Sequence, residues 1–152
     1  MPKTLTLVFL SFLAALGVAG PAMSQDDLSR DELILPGSSV KLEDFMWIKR
    51  PLVVFADSPA DPRYVQQMEY ITERLDDLDR RDVVVLTDTD KGADTALRKE
   101  LRPRGFMLVL IGKDGTIYLR KPLPWSVREI SRVIDKLPMR QQEVRERRGG
   151  ES

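Results

Sequence analysis

Phe106-Met107-Leu108-Val109-Leu110-Ile111, Gly112-Lys113-Asp114-Gly115 and Thr116-Ile117-Tyr118-Leu119-Arg120 follow one another without a gap, and their reading decides the fold. The first run is apolar throughout, as in a strand covered on both faces, and the last is more polar. The Gly112–Gly115 stretch between them is a tight turn signal, so the two runs are predicted as antiparallel neighbours in one sheet. A link this short has no room for a crossover helix.

Upstream, Pro51 to Ala56 and Asp82 to Thr87 are two further apolar runs rich in strand formers. Between them Asp61 reads as an N-cap with Pro62 at the first helical position. Val65, Met68, Ile71, Leu75 and Leu78 then recur at helical spacing, predicting a helix to about Asp79. Ala93, Ala96, Leu97 and Leu101 predict a shorter helix, capped by Asp90 or Asp94 and ended by Pro103. Beyond the hairpin, Ser126 and Glu129 form a capping box. Ile130, Val133, Ile134 and Leu137 put an apolar stripe on the helix that follows, before Pro138.

The order is β-α-β-α-β-β-α. Two buried runs joined by a helix require a parallel pair with a right-handed crossover, and the hairpin adds an antiparallel pair to the same sheet. The expected fold class is α/β, a mixed four-stranded sheet with helices on both faces in the thioredoxin-like order. A flavodoxin-like arrangement would need a helix after every strand. The domain is expected over 41–138, after a polar lead over 25–40 and before a charged helix or tail over 139–152.

Three stretches also carry a family resemblance: Arg50-Pro51-Leu52-Val53-Val54-Phe55, Ile111-Gly112-Lys113-Asp114-Gly115, and Ile134 to Arg140 ending in Leu137-Pro138-Met139-Arg140. From about Leu42 to Arg147 the chain resembles the bacterial domain of unknown function 4174 family. That family is thioredoxin-like, with related domains in animal extracellular sushi-repeat and coiled-coil-containing proteins. The resemblance therefore implies a thioredoxin-like fold and an extracytoplasmic place, and it implies no particular activity.

Composition removes several chemistries. The 152 residues include 24 Lys+Arg and 24 Asp+Glu, with no His and no Cys. Without Cys there is no disulfide, thiolate nucleophile or Cys-x-x-Cys pair, and without His there is no Ser-His-Asp triad or imidazole ligand. Redox-active thioredoxin-like domains carry Cys-x-x-Cys at a helix N-terminus after the first strand, and a cis-proline at the start of the hairpin. Here the loop is Asp57-Ser58-Pro59-Ala60-Asp61, and Phe106 stands at the proline's place. Thiol-disulfide exchange and peroxidase chemistry are thus not expected of this chain, and no catalytic residue, cofactor or metal site is assigned. Asp88, Asp90 and Asp94 share a loop that lacks the glycine and terminal glutamate of a calcium-binding EF-hand. Balanced charge speaks against a nucleic-acid partner.

The N-terminus carries an address. Lys3, the apolar run Leu5 to Ala19 and the small residues of Ala22-Met23-Ser24 form the pattern of a secretory signal over 1–24, cleaved before Gln25. The run is shorter than the roughly 20 residues that span a bilayer. The mature chain is expected to be periplasmic or secreted, with no membrane anchor after cleavage.

Ligand-binding candidates gather where the first-strand loop and the residues before Phe106 face each other. They are Ser58, Asp61, Arg63, Arg104 and Gly105. The N-terminus of the helix starting at Pro62 offers free N–H groups, which Arg63 or Arg104 would complete as an anion site. In the alternative, Asp61 caps that helix and takes those donors itself. Trp125, Arg140 and Arg145 are the candidate contacts for a partner. Trp125 also suits a helix-entry staple, and the tail arginines, interleaved with Glu143 and Glu146, also suit a solvated helical face. Phe45 and Trp47 read as cover over the sheet edge. The expected function is a redox-inactive interaction module for a protein or peptide of the cell envelope. The alternative is a small-molecule or anion-binding protein, even a weak enzyme, using the first helix's N-terminus.

Overall fold

β2, Arg50–Phe55, is buried along its whole length and forms the middle of the sheet. In the computed structural model, which describes residues 32–151, it pairs in parallel with β3 (Val83–Asp88) from Arg50↔Val83 to Phe55↔Asp88. On its other side it pairs antiparallel with β4 (Met107–Ile111). β4 turns through Gly112–Gly115 into antiparallel β5 (Ile117–Lys121), as the hairpin signal requires. The predicted signal peptide lies outside the described residues.

The sheet has five strands and not the four expected. β1, Ile34–Pro36, pairs in parallel with Val85–Thr87 of β3, giving the order β1-β3-β2-β4-β5. It falls inside the stretch read as a polar lead. Three residues are too few to show a period, and Pro36 is tolerated because β1 is an edge strand. Gly37 follows where the chain presses on the layer below. A Cβ there would stand 2.6 Å from Leu97 Cδ1 and 3.1 Å from the Thr87 carbonyl oxygen.

Helices cover both faces. One face, with Leu52, Val54, Val83, Val85, Leu108 and Leu110, packs against α1 (Pro62–Glu73), α2 (Leu75–Asp79) and α4 (Val127–Asp135), which contribute Ile71, Leu78, Ile130 and Ile134. The other, with Val53, Phe55, Leu86 and Val109, packs against Leu97 and Leu101 of α3 (Ala96–Leu101) and against Leu42 and Phe45 of a 3₁₀ turn. The single helix expected to Asp79 is two helices. Arg74 leaves helical geometry at φ −136°, and its Nε donates to Asp77 at 2.7 Å as α2 restarts. No Gly or Pro marks this break, while Leu75 and Leu78 still reach the core. α3 starts later than its apolar spacing suggested and is capped by Thr95, whose Oγ1 accepts from the Arg98 N–H at 3.2 Å, rather than by Asp90 or Asp94. Ser126 and Glu129 cap α4 reciprocally, as expected.

The C-terminal segment is a docked helix, α5 (Pro138–Gly150), with Pro138 at its first position. Its charges are not simply solvated. Arg50, 1% exposed at the start of β2, donates from Nη2 to Glu143 Oε1 at 2.8 Å and from Nη1 to the Arg81 carbonyl at 2.8 Å. Lys113 Nζ joins the same Glu143 oxygen at 2.8 Å and Asp82 at 2.8 Å, and Arg140 reaches Glu143 Oε2 at 3.2 Å. Burial pushes the Glu143 carboxyl up, but hydrogen bonds from Arg50 and Lys113 and the nearby Arg50 charge outweigh it and hold the group at about 2.

Candidate functional site

The parallel strands β2 and β3 end side by side, and the loops leaving them form one end of the sheet. Asp88 closes β3 with its carboxylate almost wholly out of water. Burying a carboxylate is costly unless it is paired, and here the pairing is complete. Arg98 Nε donates to Asp88 Oδ1 at 2.8 Å, and Thr95 Oγ1 donates to Oδ2 at 2.7 Å. Arg98 Nη2 donates to the Ala56 carbonyl at 2.8 Å, and the guanidinium lies 5.5 Å from the Phe55 ring centroid. The strand ends are thus locked together by α3.

Beside this lock, the Asp57–Asp61 loop turns on itself. Ser58 Oγ accepts from the Ala60 N–H at 3.1 Å. Asp61 caps α1 by accepting from the Arg63 N–H at 2.9 Å, and its other oxygen accepts from Arg63 Nη2 at 2.9 Å. The Arg63 side chain, with its backbone N–H, holds the Asp61 carboxyl below its ordinary range. Arg63 also lies 5.7 Å from the Phe106 ring centroid and close to Gly105, where φ is +60°. Ser58, Asp61, Arg63 and Gly105 therefore do converge. What they form is the capped turn: Asp61 and Arg63 satisfy each other, and Asp61 stands where an anion would.

Arg104 makes no hydrogen bond or ion pair with any of these residues. It lines an open cleft of about 630 Å³ together with Arg102, Pro103, Arg98 and Lys99 of the α3 end and Asp57, Lys91 and Asp94 of the facing loops. The acids there are committed, Asp57 to Lys91 at 3.7 Å and Asp94 to Lys99 at 3.0 Å. Among the described residues, no carboxylate pairs with Arg102 or Arg104, both exposed. Arg102 was not singled out by its sequence context, although Arg102-Pro103-Arg104-Gly105 places two cations around a rigid proline. Its backbone is left-handed at φ 48°, ψ 60°, a region costly for a side chain with a Cβ and more so before proline.

The acidic loop is equally committed. Asp90 Oδ1 accepts from the Gly92 N–H at 2.9 Å, while Asp88 and Asp94 are held as above. Among the described residues no cluster of three or more His, Cys, Asp or Glu is placed to hold a metal ion.

The candidate partner residues separate. Trp125 is half-buried against the α1–α4 face. Its backbone N–H and carbonyl are both taken by the buried Gln67 amide, at 2.8 and 2.9 Å, and Lys121 Nζ lies 4.5 Å from its ring centroid. Arg140 is 8% exposed and tied to Glu143, so it offers a partner almost no surface. Arg145 is exposed on α5 beside a shallow groove. Phe45 packs on the core as expected, whereas Trp47 does not. Trp47 is 65% exposed at φ 64°, between Met46 and Ile48, which are 40% and 63% exposed. Its N–H donates to the Lys113 carbonyl at 2.8 Å, which fixes the tip against the β4–β5 turn at the end of the sheet opposite the cleft.

No helix among the described residues is long and apolar enough to cross a membrane. Comparison with solved structures finds the reduced 2-Cys peroxiredoxin of Plasmodium vivax, 19% identical, covering 68% of this chain and 85% of that one at a TM-score of 0.54. A chloroplastic thioredoxin z is 21% identical and covers 68% of this chain and 90% of that one at 0.53. At such identities the likeness shows the fold alone, and that fold is thioredoxin-like. No curated protein matches in sequence. The Domain of unknown function (DUF4174) matches residues 41–143, and the chain belongs to that family.

Proposed function

We propose that this chain is an exported, redox-inactive thioredoxin-like domain that binds another protein or a peptide in the cell envelope. The observation that carries the reading is the Met46-Trp47-Ile48 tip. Three consecutive apolar side chains stand in solvent, and the central one is a bulky aromatic at positive φ, a costly way to display a side chain that the core does not use. Aromatic residues presented in this way are the commonest anchors of protein interfaces. Export rests on the basic start, apolar run and small-residue cleavage pattern over 1–24. Redox inactivity rests on the absence of Cys, the Asp61–Arg63 pair standing at the start of the helix where redox-active domains of this fold carry their thiols.

The anion site at the α1 N-terminus loses its support, since Asp61 and Arg63 occupy each other there. The test of the partner reading is in-cell cross-linking from residue 47, compared with cross-linking from the exposed residue 128. A discrete adduct from position 47 that Ile48→Ser diminishes supports the tip as a contact. Equal, diffuse labelling from both positions overturns it. Separately, deletion of residues 2–24 is expected to leave the protein in the cytoplasm, and export without them would remove the localisation.

A further inference from the structure

We propose that the cleft at the C-terminal end of the sheet is a binding site for a small ligand bearing a doubly charged oxyanion group, a phosphate or a dicarboxylate. Its volume, about 630 Å³, is that of a small-molecule pocket. Its chemistry is one-sided. Of its lining residues, Arg98 is neutralised by the buried Asp88, and the acids Asp57 and Asp94 are each paired with a lysine. What remains is the pair of arginines, Arg102 and Arg104, which line the same space on either side of Pro103. Planar guanidinium forks match the paired oxygens of carboxylate and phosphate, and two of them favour a dianion over a monoanion.

Backbone conformation points the same way independently. A C-cap in left-handed geometry is where glycine is favoured, yet an arginine directly before a proline holds it here. Among the described residues that side chain, which is exposed, has no carboxylate partner. Gly105, itself at φ +60°, follows Arg104, and both line the same cleft as Arg102. Strain held at a charged residue facing a cavity is a pattern of binding sites. The site lies at the opposite end of the sheet from the Met46–Ile48 tip, so it stands or falls apart from the partner reading.

The test is calorimetric titration of the full chain with inorganic phosphate and, separately, with succinate, at constant ionic strength set by chloride. Saturable binding of one equivalent is expected, at least tenfold weaker in Arg102→Ala and in Arg104→Ala and unchanged in Arg128→Ala, an exposed arginine on α4. Preference for phosphate over succinate assigns a phosphoryl group, and the reverse assigns a carboxylate. Thermal midpoints of the free variants within a few degrees of the parent show that the fold is intact. Absence of saturable binding to either anion overturns the proposal. So does binding that survives both cleft substitutions, or that falls equally in Arg128→Ala.

Discussion

The two ends of the sheet use the same residue types to opposite effect. At the end where β2 begins, Arg50, Lys113 and Arg140 close on Glu143, and Lys113 also meets Asp82, so cations and acids lock α5 to the sheet. At the end where β2 and β3 finish, one buried pair, Asp88 and Arg98, performs the same locking, and two arginines beyond it are left open to a cleft. A charge that is buried against a carboxylate holds the fold together, whereas a charge held in place without one is available to a ligand. What distinguishes them is not the cation itself but whether the fold brings a carboxylate side chain against it.

The sharpest way to break this contrast is at Arg50. Arg50→Ala leaves Glu143 among fewer cations and empties a fully buried volume, and a loss of about 3–5 kcal/mol in urea unfolding is expected. A loss below about 1 kcal/mol would mean that this end is not held by its charges. Asp88→Asn keeps the shape but weakens the bond to Arg98, so about 1.5–3 kcal/mol should go, measured in the same way.

Acid provides a third test. The Glu143 carboxyl lies at about 2 in the folded protein, below its ordinary 4.5. The folded state therefore binds fewer protons there than the unfolded one. Its contribution is fully present above about pH 4.5 and is lost as pH falls towards 2. The parent should lose stability more steeply than Glu143→Gln across that window, and parallel slopes would contradict the network. The smallest effect is expected at Arg102, where Arg102→Gly relieves left-handed strain and should stabilise the fold by about 1 kcal/mol while weakening anion binding. A destabilised Arg102→Gly would show that the side chain serves the fold after all.

The sequence made some of this legible and not the rest, for reasons that are physical. The hairpin, the buried β2 and β3 runs and the Ser126–Glu129 box are local signals, complete within a few residues, and each stands where its pattern put it. β1 is too short to carry a period and depends on pairing with β3. The charges of α5 read locally as a solvated face because the partners of Glu143 lie far off in sequence, Arg50 being 93 residues away. The site divides in the same manner. The Asp61 cap is written in the adjacent Asp61-Pro62, whereas the open arginine at 102 and the exposed Trp47 depend on left-handed backbone that no local residue announces.

The span between Arg50 and Glu143 also sets the order in which the chain can finish itself. Synthesis delivers the N-terminal end first, so β2 is made long before the carboxylate that neutralises its first residue. Until position 143 has followed, any native-like intermediate carries an arginine charge in its interior without that counterion, and it is penalised accordingly. Folding of the whole domain is thereby held back until the residue that completes the pair has been made.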